Sequence, residues 1–155
     1  MPTANTPPTV TPDQALQLDH QLCFALYSAS LAMTKLYKPL LADLGLTYPQ
    51  YLALLALWER DGQQVSELGE RLFLDSGTLT PLLKRMEAQG QIARLRDVQD
   101  ERRVRITLTA EGRALRDQAE TIPQCVLQSS QCSIAELTAL TTELKQLRDR
   151  LSEQR

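Results

Sequence analysis

The sequence predicts a mainly α fold with one small β-hairpin, and three observations carry that reading. Apolar residues recur at three- and four-residue steps over most of the chain, the period of helices with one buried face. Ile92 to Arg96 and Val104 to Leu108 instead read as two short strands. The run between them, Asp97-Val-Gln-Asp-Glu-Arg-Arg103, is too charged to be core, so it projects into solvent.

Taken in order, residues 1 to 12 (MPTANTPPTVTP) are rich in Pro and Thr and poor in large apolar groups, which predicts a disordered tail. From Asp13 the pattern turns helical, and Leu22, Leu26, Ala29, Met33, Leu36, Leu40 and Leu44 form a heptad-like seam on one long helix. Pro39 removes an amide donor and crowds the Lys35 carbonyl, so a kink or break is expected near Tyr37. Thr47-Tyr-Pro-Gln50 fits a capping box that opens a helix through Trp58.

Val65, Leu68 and Leu72 make the apolar side of a further helix, and Asp75 caps the next one about three residues later. That second helix opens on Ser76, Gly77, Thr78 and Thr80, short polar residues that let a helix N-terminus approach phosphates and base edges. Leu79, Leu82, Leu83 and Met86 hold it to the core, and Gly90 ends it. With the charged hairpin as its wing, the stretch reads as a winged helix-turn-helix. Thr109 caps a following helix, which Pro123 bends or restarts, and Ser133-Ile-Ala-Glu136 is a second capping box. It opens a terminal helix with Leu137, Leu140, Leu144, Leu147 and Leu151 at coiled-coil spacing.

The organisation expected is thus a single domain over 13–155. Residues 47–108 form the DNA-binding region, and 13–46 with 109–155 supply N- and C-terminal dimerisation helices. Apolar seams at opposite ends of the chain suggest an intertwined homodimer, and two-fold symmetry then predicts double-stranded DNA with an inverted-repeat operator.

The chain has 155 residues and is 43% hydrophobic, enough for one core but not comfortably two. No apolar run spans a membrane and no signal-peptide pattern opens the chain, which predicts a cytoplasmic protein without membrane partners. The net charge of −2 disguises an uneven distribution. Lys84 to Arg105 carries seven cations against four carboxylates, whereas the rest carries ten against fifteen. The candidate DNA contacts are therefore Ser76, Thr78 and Thr80 at the start of the recognition helix, Lys84 and Arg85 toward phosphates, and Arg102 and Arg103 on the wing. Asp100 is placed to hold one of the wing arginines.

Cys23, Cys125 and Cys132 are too few and scattered for a disulfide scaffold, and no Cys or His spacing suggests zinc, so no metal or cofactor is expected. A helical cysteine is most often a packing residue. Tyr27 lies one turn from Cys23, however, and phenols at Tyr27, Tyr37 and Tyr48 are groups that hydrogen-bond a thiolate. Tyr37 is fourteen residues along, about 21 Å on a straight helix, so it meets Cys23 only if the chain folds back or a partner supplies it. Cys125 and Cys132 are seven residues apart and share a face if their helix is unbroken.

The stretch SELGERLFLDSGTLTPLLKRMEAQGQIARLRDVQDERRVRITLTAEG, with D-x-x-D-E-R at 97 to 102, resembles the MarR family of bacterial transcriptional regulators. LDHQLCFALYSAS and LTYPQYLALLALWE resemble its organic hydroperoxide branch, OhrR, over roughly Leu18 to Leu151. The resemblance implies that Cys23 is a peroxide-reactive cysteine and that Tyr27, Tyr37 and Tyr48 surround it, some from the other subunit. It implies a wing arginine like Arg102 in the minor groove. It also implies a resolving cysteine on the late helical stretch of the partner, but the aligned position falls near Gln128. Both Cys125 and Cys132 therefore stand as candidates, the alternative being that neither resolves and Cys23 is capped by a small cellular thiol or overoxidised.

Three functions follow as expectations. The first is a repressor that an organic hydroperoxide releases from DNA by oxidising Cys23 to a sulfenic acid and then a disulfide. The alternative is a MarR-type repressor released by a reversibly bound apolar or phenolic ligand. A thiol peroxidase is disfavoured, since it would leave the winged helix idle, and the chain is not expected to be an enzyme.

Overall fold

The computed structural model describes residues 9–154, so the tail expected over 1–12 lies outside the described residues for 1–8. The end of that tail is ordered by a local device. Thr11 caps a short helix, α1 (Pro12–Ala15), accepting from the Gln14 amide at 3.3 Å while the Gln14 side chain accepts from the Thr11 amide at 3.1 Å. A 3-10 turn follows at Leu18–His20, and the long helix α2 (Leu22–Ala42) begins only there. The single helix expected from Asp13 is therefore divided. The Gln21 side chain donates to the Ala15 and Gln17 carbonyls and the His20 ring meets the Gln14 carbonyl, contacts that compete with the amides of a continuing helix.

Once begun, α2 runs through Pro39 without the expected break. The lost amide falls in its last turns, where Leu36, Leu40 and Leu41 already pack on the core. Thr47 then opens α3 (Tyr48–Glu59) with a reciprocal cap, 3.1 Å and 3.4 Å to Gln50. From Gln50 to Trp58 no residue of α3 is exposed. It is the helix around which α2, α4 (Val65–Leu72), α5 (Ser76–Ala88) and α6 (Ala110–Ala119) assemble.

The wing is a three-stranded antiparallel sheet rather than a bare hairpin. Strand β1 (Gln63–Gln64) pairs with β3 (Val104–Leu108), which pairs with β2 (Ile92–Arg96) with Ile92 opposite Leu108 and Arg96 opposite Val104. Two polar strand residues carry no periodicity, and what places them is tertiary. The buried Gln63 side chain donates to the Ala56 and Arg60 carbonyls at the end of α3. Asp61 accepts from the Leu108 amide at 2.9 Å, and the Trp58 indole donates to the Gly112 carbonyl at 3.0 Å.

The chain leaves the wing through α6, capped by Thr109, restarts as α7 (Ile122–Ser130) with Pro123 in its first turn, and ends in α8 (Ile134–Ser152), capped by Ser133. Among the described residues no helix is long and apolar enough to cross a membrane.

At the joint of wing and α6, a Cβ on Gly112 would stand 2.0 Å from the Gln91 carbonyl oxygen, which already accepts from the Thr109 amide. Gly112→Ala should therefore destabilise the fold by about 1–3 kcal/mol, the cost of overpacking a fixed backbone contact. A urea midpoint equal to wild type would contradict that geometry.

Candidate functional site

Two surfaces carry the residues singled out from the sequence. The first is the start of α5. Asp75 accepts from the Thr78 amide at 2.8 Å, and hydrogen bonds from the Thr78 amide and hydroxyl hold its carboxyl below the usual carboxylate range. The cap leaves Ser76, Gly77 and Thr78 exposed on the first turn, where amides lack helical partners and an anion is favoured. Buried Leu79, Leu82, Leu83 and Met86 fix the opposite face.

A groove of about 840 Å³ separates this helix start from the wing, with Ser76, Thr80, Arg94, Arg102 and Arg103 along its walls. Thr78, Lys84 and Arg85 lie outside those walls on the exposed side of α5. Arg94 was not among the residues singled out. Its signal is the two-residue alternation of β2, which sets it on the face shared with buried Ile92.

At the wing tip Asp100 is the anchor. It accepts from the Arg102 amide at 3.1 Å and from the Arg102 Nε at 3.2 Å, and its second oxygen lies 3.7 Å from the Arg103 Nε. The Arg102 side chain lowers the Asp100 carboxyl below its ordinary range. The Arg102 side chain is nonetheless 92% exposed, a cation held at its base and presented to solvent.

The second surface is divided between the two ends of α2. Cys23 is the second residue of that helix and is exposed, as is Tyr27 one turn later. Tyr37 stands fourteen residues further on the same unbroken helix, about 21 Å away by helical rise. There it meets Tyr48, with ring centroids 4.9 Å apart. Within one chain the thiol and these two phenols are therefore not brought together.

Tyr51, which sequence reasoning missed, completes the cluster. Its ring lies 5.9 Å from that of Tyr37 and 6.4 Å from that of Tyr48, and only 4% of it is exposed. Its place three residues after Tyr48 on α3 was the available signal. Burial, with Tyr48 and Tyr51 adding, pushes the Tyr37 hydroxyl up to about 12, so it remains a protonated donor through the physiological range. Burial also raises Tyr51.

The two remaining cysteines do not share a helix face, contrary to what an unbroken helix would give. Cys125 sits within α7, whereas α7 ends at Ser130 and Gln131 takes a left-handed conformation at φ 57°. Cys132 therefore lies in the joint before α8, its amide donating to the Ser130 hydroxyl and its thiol to the Ser130 carbonyl. Both are half-buried. Among the described residues no group of His, Cys, Asp and Glu is arranged to hold a metal ion.

Large apolar side chains remain open on both sides of α2, Leu22 and Met33 on one and Phe24, Tyr27 and Leu31 on the other, and along one face of α8 at Leu140, Leu144 and Leu151. Such a surface marks an interaction site.

Residues 35–119 match the family described as transcriptional regulator SarA/Rot. Over 136 residues the chain is 52% identical to the organic hydroperoxide resistance transcriptional regulator of Bacillus subtilis (strain 168), which covers 88% of this chain and 92% of that relative. It is similar to reduced AbfR of Staphylococcus epidermidis bound to DNA, with 37% identity, a TM-score of 0.73, and coverage of 91% of this chain and 99% of that one. Against disulfide-formed AbfR the TM-score is 0.60, with 38% identity and coverage of 87% and 95%.

Tyr51→Leu should lower the Tyr37 hydroxyl from about 12 toward its ordinary 10.0, by admitting water and removing one neighbouring phenol. Tyrosinate absorbance in an alkaline titration reads this directly. In the native protein the raised Tyr37 value contributes stability that is whole below pH 10 and is lost as pH rises toward 12. A highest titration step that stays near 12 after the substitution would sink the assignment.

Proposed function

The chain belongs to the MarR family of bacterial transcriptional regulators, in its organic hydroperoxide branch, and from that premise we propose that it is a homodimeric repressor switched by oxidation of Cys23. It is a DNA-binding transcriptional regulator rather than an enzyme. The observation that carries the finer reading is the division of α2: a thiol and Tyr27 at one end, and three packed phenols at the other. Two copies whose α2 helices run antiparallel, covering their exposed apolar side chains, would bring each Cys23 to the partner's Tyr37 and Tyr48, making two composite sites.

In each site the Cys23 thiolate attacks the O–O bond of an organic hydroperoxide. An S–O bond forms, the O–O bond breaks, and the leaving alkoxide takes a proton to depart as an alcohol. Sulfur is oxidised to a sulfenic acid and the peroxide is reduced. Tyr37 and Tyr48 serve as hydrogen-bond donors to the thiolate and the departing oxygen, and Leu22, Phe24 and Leu26 favour an alkyl or acyl peroxide over hydrogen peroxide.

A second thiol then attacks the sulfenic sulfur, forming a disulfide and releasing water. Cys125 and Cys132 are the candidates, and we favour Cys132 because it lies in the non-helical joint before α8, whereas Cys125 is within a helix whose Ile122 and Val126 are core residues. The disulfide would draw α2 of one subunit toward the α7–α8 joint of the other and turn the recognition helices off their half-sites.

On DNA, Ser76, Thr78 and Thr80 approach the major groove, Lys84 and Arg85 contact phosphates, and Arg102 with Arg103 enter from the wing. A second reading rests on one observation, an apolar recess of about 440 Å³ between Leu26 and Leu144, Leu147 and Leu151, which suits a reversibly bound apolar ligand.

Cys23→Ser should bind upstream duplex DNA as wild type does and no longer release it when one equivalent of cumene hydroperoxide is added. Fluorescence anisotropy measures the binding, and intact mass follows the oxidation. Release from Cys23→Ser by the peroxide would remove the redox reading and favour the ligand-responsive one. Cys132→Ser should stop wild-type oxidation at the sulfenic stage or beyond, without the intersubunit crosslink that Cys125→Ser still forms.

A further inference from the structure

The turn between α4 and α5 holds a residue whose own environment does not account for it. Phe73 adopts a left-handed conformation, φ 57° and ψ 36°, which favours glycine, and the residue is 59% exposed. Neither backbone preference nor burial within the winged helix explains a phenylalanine there. What covers the ring comes from the far end of the chain. The Arg148 guanidinium lies 4.2 Å from the ring centroid, and Ser152, one turn later, lines the same groove as Asp75, Ser76 and Arg102.

Arg148 is carried on α8, an unbroken helix of 19 residues, about 28 Å long, that starts beside Cys132. Phe73 is two residues before Asp75, the cap of the recognition helix. An unbroken helix thus runs from the joint at Cys132 to the turn that sets where α5 begins.

We propose that Arg148 is a positioning residue for DNA binding: through the Phe73 ring, the end of α8 fixes the helix-turn-helix turn and thereby the approach of Ser76, Thr78 and Thr80. The same contact is the route by which any displacement of α8 reaches the recognition helix. Arg148 also bonds Asp149 on its own helix at 3.1 Å, which keeps the guanidinium near α8 rather than extended into the groove. An exposed cation–π contact shifts an equilibrium about two- to fivefold, and up to about thirtyfold when desolvated, so the effect is measurable.

The experiment uses the reduced full-length protein with no oxidant, so its outcome does not depend on the role of Cys23. Anisotropy on duplex DNA from the protein's own upstream region is measured across a salt series for Arg148→Met, Arg148→Lys, Phe73→Gly and the Met–Gly double variant. Arg148→Met and Phe73→Gly should each weaken binding about three- to tenfold, the double variant no further, and Arg148→Lys should retain most of the affinity. Phe73→Gly should melt no lower than wild type, because glycine suits the left-handed turn, which separates positioning from loss of fold. The salt dependence should be unchanged. A slope reduced by about one in Arg148→Met would make Arg148 a direct phosphate contact and overturn the proposal. Wild-type affinity in Phe73→Gly, or additive losses in the double variant, would overturn it as well.

Discussion

Burial of α3 along its whole middle is the constraint on which the rest of the molecule depends. From Gln50 to Trp58 every residue of the helix is buried or half-buried, so it depends on α2, α4, α5 and α6 around it. Its two ends then serve different surfaces. At the N-terminal end Tyr48 and Tyr51 meet Tyr37 of α2, and at the C-terminal end Trp58, with the following Asp61 and Gln63, ties down α6 and the strands of the wing. A single core helix thereby joins the phenol cluster to the DNA-reading head, and neither can be repacked without disturbing the other.

The charge distribution follows the same division of labour. A chain with a net charge of −2 presents its cations where α5 and the wing face a common groove, and the carboxylates among them act as anchors. Asp75 caps α5 and Asp100 holds Arg102, so these two carboxylates each fix a neighbouring donor in place. Elsewhere pairs such as Arg60 with Glu67 and Arg71 with Glu59 satisfy each other at the surface, where they contribute little stability.

Legibility in the sequence tracked the range of the interaction. The Thr47, Asp75, Thr109 and Ser133 caps are decided within four residues, and each is found where its short motif lies. The wing was legible because its charged tip cannot be buried. Three features were hidden for physical reasons. Side-chain bonds from His20 and Gln21 interrupt an apolar period that continues unbroken in the sequence. A left-handed Gln131 ends α7 with neither glycine nor proline to mark it, which separates Cys132 from Cys125. β1, Tyr51 and the contact of Arg148 with Phe73 exist only once distant segments have met. Cys23 and its phenols were legible as residues, and so was the distance from Cys23 to Tyr37 on a straight helix, whereas the packing of Tyr37 on Tyr48 required α2 and α3 to meet.

In the proposed mechanism the unbroken length of α2 also ties sensing to gene dosage. With thiol and phenols at opposite ends, the proposed site exists only while two copies are paired, so dilution below the pairing constant removes peroxide reactivity along with operator affinity. A cell making intact copies and copies lacking Cys23 would assemble mixed pairs with one complete site, and copies lacking the phenols would rescue them only in the complementary arrangement. The response threshold would then be inherited as a property of subunit abundance, and a defective allele would be partly dominant without contacting DNA differently.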